Sequence, residues 1–290
     1  MAGELFDRYL RLRLLDLDAT GLNASFHVVK STESEPNAAE FKIYNLKESN
    51  RQKLHQANVV PIEISVGYNG LGGLMSGIRN SISPPDGESL MFKGDVREIY
   101  SQKEGPDWVT VLRIQDGLNA HRRARLLKSY KTGMPFSTVI SDMLTAFPVD
   151  TKNALAKVLA NPLAAETTLS NYIVSGSVSK ELEKILARLG LTYSIQDGEL
   201  VVLGELETIN IDSIEISPQT GLIGSPEPGV HKKKPILKMK CLIQPQLAPG
   251  KMILLNSARF KGVYKINKAV YTGSAFDNNW YVDLEATAIK

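Results

Sequence analysis

The sequence has a single cysteine, Cys241, which excludes an intramolecular disulfide and suits synthesis in a reducing cytoplasm. We expect this cysteine to be buried in the strand MKCLI as a small apolar residue. No stretch approaches the roughly 20 apolar residues of a membrane-spanning helix. The N-terminus carries charges throughout, so it lacks the apolar core of a signal peptide. The net charge is only +3, so composition does not demand a polyanionic partner.

Residues that carry chemistry are also scarce. The four histidines lie far apart in the sequence, and a lone cysteine cannot supply a thiolate cluster for a metal. No nucleophile elbow, Walker loop or HExxH motif is present. Asp16 and Asp18 point to one face of the first strand, where carboxylates are usually solvated. We therefore expect no catalytic, cofactor-binding or metal-binding residues, and the chain is not expected to be an enzyme.

The pattern of apolar residues divides the 290 residues into three parts. Residues 1–132 alternate apolar and polar side chains, as half-buried strands do, and include one short helix, ESNRQKLHQA, with Leu54 inward. Residues 133–208 have apolar positions at three- and four-residue steps, which indicates helices, followed by a hairpin. Residues 209–290 return to β character. The expected fold class is mainly β with α (α+β), with two related β-barrel or sheet domains of a tube-like kind and an inserted helical region.

The middle part contains the clearest helix of the chain, SVSKELEKILARLG. Ser177 or Ser179 is suited to cap its N-terminus, and Gly190 is suited to end it. The segment that follows, LTYSIQDGELVVL, predicts a hairpin with Asp197 and Gly198 in its turn.

An internal repeat relates the first and third parts. Phe92-Lys93-Gly94 begins a segment that reaches Trp108 and alternating apolar residues, and Phe260-Lys261-Gly262 begins one that reaches Trp280. The repeat favours two related β domains, although β proteins reuse such patterns by chance. In the first copy, residues 70–89 form an insertion rich in Gly, Ser and Pro, typical of a mobile loop or one ordered by a partner.

The segment SPQTGLIGSPEPGV, residues 217–230, does not read as a phosphate-binding loop. Proline offers no N–H, and no helical pattern follows, whereas a phosphate loop needs converging N–H groups at a helix start. We interpret it as a stiff crossing segment into the third part, in which Gly221 and Gly224 permit unusual φ values and Pro226 limits disorder. The alternative is an ordinary surface loop.

The segment HRRARLLKSYKTG, residues 121–133, is the most basic run in the chain. LKSYK alternates like a strand and places Lys128 and Tyr130 on one face. Arg123, Arg125 and Lys128 are candidates for contact with a phosphate backbone or an acidic partner surface. The alternative is a solvated sheet edge whose charges prevent mispairing.

Four segments, taken in order, resemble the baseplate hub proteins of contractile-tailed phages and related injection machines. They are FKIYNLKESNRQKL; LMFKGDVREIYSQKEGPDWVTVLRIQDG; SGSVSKELEKILARLGLTYSIQDGELVVL; and SPQTGLIGSPEPGV continuing to CLIQPQLAPGKMILLNS and NNWYVDLEA. The likeness covers most of the chain.

The resemblance implies a homotrimer in the virion, at the tail baseplate, assembled in the host cytoplasm. Its partners would be the tail tube protein, the spike protein and other baseplate proteins, with DNA passing through the channel without sequence-specific binding. Gly221, Gly224, Pro226, Arg123, Arg125 and Lys128 would then be assembly residues. Two alternatives stay open: a tail tube or tube-initiator protein, and a nucleic-acid-binding β module.

Overall fold

The computed structural model describes residues 8–15, 17–18, 21–57, 60–68, 89–210 and 212–289. The chain divides into two compact units. The sheet unit comprises Met1–Ser31, Ala38–Gln115 and Thr208–Lys290, and the helical unit comprises Thr32–Asn37 and Asp116–Glu207.

Nineteen strands and six helices are assigned within the described ranges. In chain order, the strands are β1 (Arg8–Leu14), β2 (Leu17–Asp18), β3 (Ala24–Ser31), β4 (Ala38–Tyr44), β5 (Pro61–Tyr68), β6 (Ser89–Glu104), β7 (Asp107–Gln115), β8 (Arg125–Tyr130), β9 (Met134–Pro135), β10 (Thr168–Leu169), β11 (Tyr172–Ser177), β12 (Leu191–Gln196), β13 (Glu199–Gly204), β14 (Ile214–Ile216), β15 (Leu222–His231), β16 (Lys234–Leu242), β17 (Met252–Asn256), β18 (Lys261–Ser274) and β19 (Trp280–Ala288). The helices are α1 (Glu48–Gln56), α2 (Leu118–Arg123), α3 (Phe136–Thr145), α4 (Lys152–Leu159), α5 (Pro162–Glu166) and α6 (Val178–Arg188).

The sheet unit contains one sheet of 13 strands. Eleven of them follow the order β15-β16-β19-β18-β3-β4-β7-β6-β5-β1-β2, while β17 pairs with β18 and β14 pairs with β17. The β14–β17 pair is parallel, and its neighbours in the sheet are antiparallel. The first and third parts of the sequence therefore contribute to the same sheet, and the fold class is mainly β with α, as predicted.

Alternating side chains supply the core of the sheet unit. On β3 the side chains of Phe26 and Val28 are buried, and on β4 those of Phe41 and Ile43 are buried. The rings of Phe26 and Phe41 stack with centroids 6.2 Å apart. Each such side chain contributes about 1.5–3 kcal/mol by leaving water, so the period-two pattern fixes which face of each strand turns inward.

The helical unit is organised around α6 and the β12–β13 hairpin. The helix buries Leu182, Ile185 and Leu186, as its spacing predicts. Gly190 follows the C-cap residue Leu189, and its φ of +68° suits glycine. The predicted serine cap is wrong, because the Ser177 side chain makes no capping bond. Instead β11 runs directly into the helix, and the Val178 N–H donates to the Ala124 carbonyl at 3.0 Å.

A carboxylate holds the turn of the β12–β13 hairpin inside the helical unit. Asp116, only 1% exposed, accepts hydrogen bonds from the backbone N–H groups of Asp197 at 2.5 Å and Gly198 at 3.2 Å. A Cβ on Gly117 would lie 2.6 Å from the Ile195 side chain, so this position needs glycine. The same four residues, Ile-Gln-Asp-Gly, occur at 114–117 and at 195–198, and these two segments contact each other.

Several local predictions are confirmed. Helix α1 has Leu54 fully buried, Asp197 and Gly198 form the predicted turn, and Cys241 is buried in β16. Burial raises the pKa of the Cys241 thiol to about 12. Domain boundaries after residues 132 and 208 stay predictions. Asp16 and the loop expected at 70–89, apart from Ser89, lie outside the described residues.

Candidate subunit interface

Strand β18 is long enough to pair with two strands along one edge. Its first part, Lys261–Lys265, pairs with β17, and its second part, Lys268–Ser274, pairs with β3. The opposite edge of β18 pairs with β19. We call the β18–β3 pairing the internal junction, because it joins the strands of the third part of the sequence to those of the first.

Strand β6 is arranged in the same way, except that only one strand pairs along the corresponding edge. Residues 89–95 pair with β5, and the opposite edge pairs with β7 as far as Glu104. Along the edge shared with β5, residues 98–104 pair with no strand of the described chain. This stretch corresponds to the part of β18 that forms the internal junction.

The β6–β7 and β18–β19 hairpins match pair for pair. Each ladder shifts register once, between Val96 and Glu98 in one and between Ile266 and Lys268 in the other. The matching pairs beyond the shift run from Glu98–Arg113 and Lys268–Glu285 to Lys103–Trp108 and Gly273–Trp280. A β-bulge is a specific feature of a strand pair rather than a defect. Because both ladders have it at the matching position, these hairpins are equivalent parts of a repeated fold.

The register corrects one detail of the sequence repeat. Trp108 and Trp280 are equivalent, as the sequence suggests, but Phe92 corresponds to Gly262 rather than to Phe260. The two Phe-Lys-Gly triplets are therefore displaced by two residues, and only the tryptophan ends of the two segments are aligned.

A second open edge lies at β15. Strand β15 pairs with β16 and β16 with β19, in the same way as β3 pairs with β4 and β4 with β7. The outer edge of β15 pairs with no strand within the described ranges. On this strand the side chains of Val230 and Ile223 are 73% and 40% exposed. The outer edge of β15 corresponds to the edge of β3 that pairs with β18. On β15 this edge exposes apolar side chains to water.

The Gly- and Pro-rich segment is this edge strand, so the interpretation as a crossing segment is wrong. Residues 222–231 form β15, and its ladder with β16 is interrupted between Ile223 and Glu227. Gly221 and Gly224 adopt φ values of +108° and +70°, and Pro226 is buried at the interruption. Prolines occur in sheets almost only on edge strands or at bulges, which was the sequence signal for this assignment.

The two equivalent tryptophans have different surroundings. Trp280 is 2% exposed and packs edge-on against Phe26 at 5.7 Å and Tyr68 at 6.4 Å, with the Arg8 guanidinium 5.4 Å from its ring. Burial raises the pKa of the Tyr68 hydroxyl. Trp108 is 41% exposed and is covered on one face by Arg51 at 4.2 Å. The aromatic neighbours of Trp280 come from β3, a strand of the internal junction, and from β5.

The basic candidates belong to the helical unit, whereas Gly221, Gly224 and Pro226 belong to the sheet unit. Arg123 ends α2, a helix that the sequence analysis missed, and Arg125 begins β8. Lys128 lies on the same face as Tyr130, as predicted, and both donate hydrogen bonds to the Asp142 carboxylate, at 2.5 Å and 3.0 Å. Lys128 is therefore ion-paired with Asp142, and burial, with the Asp142 bond, raises the pKa of Tyr130.

The described residues contain no cluster of three or more His, Cys, Asp or Glu side chains placed to hold a metal ion. No helix in the described part of the chain has the length and apolar character that crossing a membrane requires.

Comparison with known proteins gives a likeness in structure only. No family model matches the sequence, and no curated protein matches it. A tail protein from Neisseria meningitidis MC58 is 10% identical, with a TM-score of 0.63 over 97% of this chain and 96% of that one. The 43 kDa tail protein of prophage MuSo2 from Shewanella oneidensis is 8% identical, with a TM-score of 0.61 over 97% of both chains.

An Escherichia coli component of the type VI secretion system, itself described as structurally similar to the T4 tail proteins gp27 and gp5, is 10% identical. Its TM-score is 0.57, over 96% of this chain and 77% of that one. The chain therefore has a fold found in phage tail proteins and in a secretion-system component.

Proposed function

We propose that this chain is a structural hub protein on the axis of a contractile tail or related injection machine. Three copies would form a ring that adapts a six-fold tail tube to a three-fold spike and surrounds the channel. The observation that carries the proposal is that two strand edges are open, namely residues 98–104 of β6, which correspond to β18, and the outer edge of β15, which corresponds to β3. They repeat the two sides of the internal junction.

The internal junction supplies a template for the contact between copies. Within the chain, Lys268 faces Ser31, Ala269 faces Lys30 and Thr272 faces His27. Transferred to the equivalent strands, this register places Glu98 opposite His231, Ile99 opposite Val230 and Gln102 opposite Glu227 of the next copy. The exposed Val230 side chain would then be covered by an aliphatic neighbour, which removes its apolar surface from water.

Pairing between copies would use fewer backbone hydrogen bonds than the internal junction. Pro226 and Pro228 have no N–H to donate, whereas β3 has no proline in this stretch. Side-chain contacts would contribute a larger share of the association free energy of this contact between copies. We expect it to be weaker than its counterpart within the chain, so assembly depends on protein concentration.

The repeat supports three copies in the ring. Head-to-tail contacts close into a ring when the rotation at each contact is suitable. If both kinds of junction have the same geometry, six equivalent sheet segments from three chains would complete a six-fold layer. The ring keeps only three-fold symmetry elsewhere, because the helical unit occurs once per chain. Such a ring would match a tube on one side and a trimeric spike on the other.

The further parts of the proposal rest on the resemblance noted in the sequence and on the shared fold. The partners are the tube protein, the spike protein and other baseplate proteins, and the location is the tail baseplate of the virion. DNA or other cargo passes through without sequence-specific contacts. The role is structural rather than enzymatic. A tube or tube-initiator protein would instead form rings of six chains.

Disulfide trapping tests the contact at residue resolution. Facing residues of antiparallel strands have Cα atoms about 4.5–5.5 Å apart, within the range of about 4.4–6.8 Å for a disulfide. The variant carrying both Ile99→Cys and Val230→Cys should form covalent dimers and trimers under mild oxidation. In the matched control, Tyr100→Cys replaces Ile99→Cys, because a one-residue shift turns the thiol to the opposite face of the sheet.

Native mass spectrometry of the unmodified protein gives the copy number. Trimers with efficient trapping only in the 99/230 variant support the proposal. Hexamers would favour a tube protein, and a chain that stays monomeric at high concentration, with equal trapping in both variants, would sink the proposal.

A further inference from the structure

The basic segment of the helical unit forms half of a two-stranded ribbon with two distinct faces. Strands β8 and β11 pair antiparallel from Arg125 opposite Ser177 to Tyr130 opposite Tyr172. One face packs into the unit through Leu126, Tyr130 and Val174. The other face carries Arg125, Leu127 and Ser129 from β8 with Ile173, Ser175 and Ser177 from β11. We call it the outer face.

The outer face exposes two large aliphatic side chains. Leu127 is 82% exposed and Ile173 is 62% exposed. Leu127 lies opposite Ser175, and Ile173 lies opposite Ser129, so the two aliphatic residues are diagonal neighbours on one face and lie within reach of each other. A ribbon that only met water would carry polar residues here, as its serine positions do. The pair therefore forms a small contiguous apolar surface.

Exposed basic side chains lie on β8 and on the residues next to it in the chain. Residues 121–133 and 168–177 contain no Asp or Glu. Arg122, Arg123, Arg125 and Lys131 are exposed, and none of the four has an ion pair with a described residue. Lys128, by contrast, is paired with Asp142 on the inner side. The outer face thus combines the Arg125 guanidinium with aliphatic side chains and hydroxyl groups, and three further exposed cations, Arg122, Arg123 and Lys131, lie within three residues of β8 in the chain.

We propose that the outer face of the β8–β11 ribbon docks an acidic segment of another protein that also presents aliphatic side chains. Carboxylates of the partner meet Arg122, Arg123, Arg125 and Lys131, while its aliphatic residues cover Leu127 and Ile173. This site lies in the helical unit and does not depend on ring formation through the sheet unit.

The chemistry of the face favours a protein over a nucleic acid and over a second copy of the same face. Single-stranded nucleic acids bind where aromatic side chains stack on bases, and here the exposed side chains are leucine and isoleucine. A phosphate backbone would use the cations but would leave these two residues in water. Two copies meeting through this face would bring arginine against arginine, which is repulsive.

Binding of a defined probe tests the proposal. The probe is a fluorescein-labelled synthetic peptide of alternating glutamate and leucine, measured by anisotropy against the full chain. Comparators are a peptide of alternating lysine and leucine and a labelled DNA duplex. The test variant combines Leu127→Ser with Ile173→Ser, and the matched control combines Leu159→Ser with Leu163→Ser. The control removes two other exposed leucines of the helical unit, 58% and 56% exposed.

We expect the acidic peptide to bind more tightly than the basic one and to lose about tenfold or more in affinity in the test variant. The control variant should bind like the original, and both variants should melt at the original temperature because the replaced side chains are exposed. Arg125→Glu should weaken binding further.

Two results would overturn the proposal. One is equal binding of the acidic peptide by the test and control variants. The other is DNA bound more tightly than the acidic peptide at about 150 mM salt, where exposed charge interactions are screened beyond ~8 Å, with the Leu127 and Ile173 substitutions having no effect.

Discussion

Trp280 and Trp108 stand at the same position of two hairpins with the same register, yet Trp280 is 2% exposed and Trp108 is 41% exposed. Of the two aromatic side chains that pack on Trp280, Phe26 lies on β3, a strand of the internal junction, and Tyr68 lies on β5. Trp108 has the same place beside an open edge, so its exposure is consistent with a missing neighbour.

The first prediction follows from this difference. In a Trp280→Phe variant, Trp108 is the remaining tryptophan, and its fluorescence should shift to shorter wavelength as protein concentration rises and the ring forms. Water leaves the indole when the next copy covers it. A concentration series of emission spectra, compared with mass photometry, tests this expectation. Unchanged emission in samples that are demonstrably assembled would count against the interface.

The second prediction concerns packing beside the internal junction. A Cβ on Gly273 would lie 2.3 Å from the Phe26 ring, so Gly273→Ala should lower the free energy of unfolding by about 1–3 kcal/mol, the usual cost of overpacking. Urea denaturation measures the change. Because the clash is with one ring, adding Phe26→Leu should recover part of the loss in a double-mutant cycle. Strictly additive effects would mean that the strain lies elsewhere.

The third prediction concerns pH. The pKa of Glu181 is lowered, chiefly because the Lys184 ammonium donates to it at 2.7 Å, and also because the Tyr172 hydroxyl donates to it. A lowered folded-state pKa gives stability that is present above the unfolded pKa and is lost as pH falls through the folded one. Glu181→Gln should therefore be less stable than the original near neutral pH, and the difference should shrink on acidification.

Urea midpoints at several pH values provide the measurement. Glu183→Gln is the matched control, since Glu183 is an exposed residue on the same helix. A stability difference for Glu181→Gln that stays constant from neutral to acidic pH would show that the carboxylate contacts do not contribute in solution.

Sequence reasoning succeeded where local signals agreed. Helix α6 combines apolar spacing with a terminal glycine, and the β12–β13 turn has Asp-Gly, so both could be predicted from a few residues. The alternation around Trp108 and Trp280 likewise identified two related hairpins. In each case the burial pattern depends on neighbours close in the sequence.

The predictions failed where distant contacts override local preference. Glycine and proline in residues 221–230 favour a loop locally, but pairing with β16 makes the segment a strand. The sequence predicts a cap from the hydroxyl of Ser177 or Ser179, but β11 enters the helix directly and the Ala124 carbonyl accepts the first N–H. The displaced Phe-Lys-Gly triplets became visible only through the register of β6 and β18, because identical letters need not occupy equivalent positions.

The internal junction has a further effect on how a ring would be put together. In a ring of three such chains, half of the joints are made when each polypeptide folds, at the high effective concentration that covalent linkage gives. The other half form only when separate chains associate. Dilution would therefore take such a ring apart into whole chains, each retaining one finished joint, and single sheet segments would never be released.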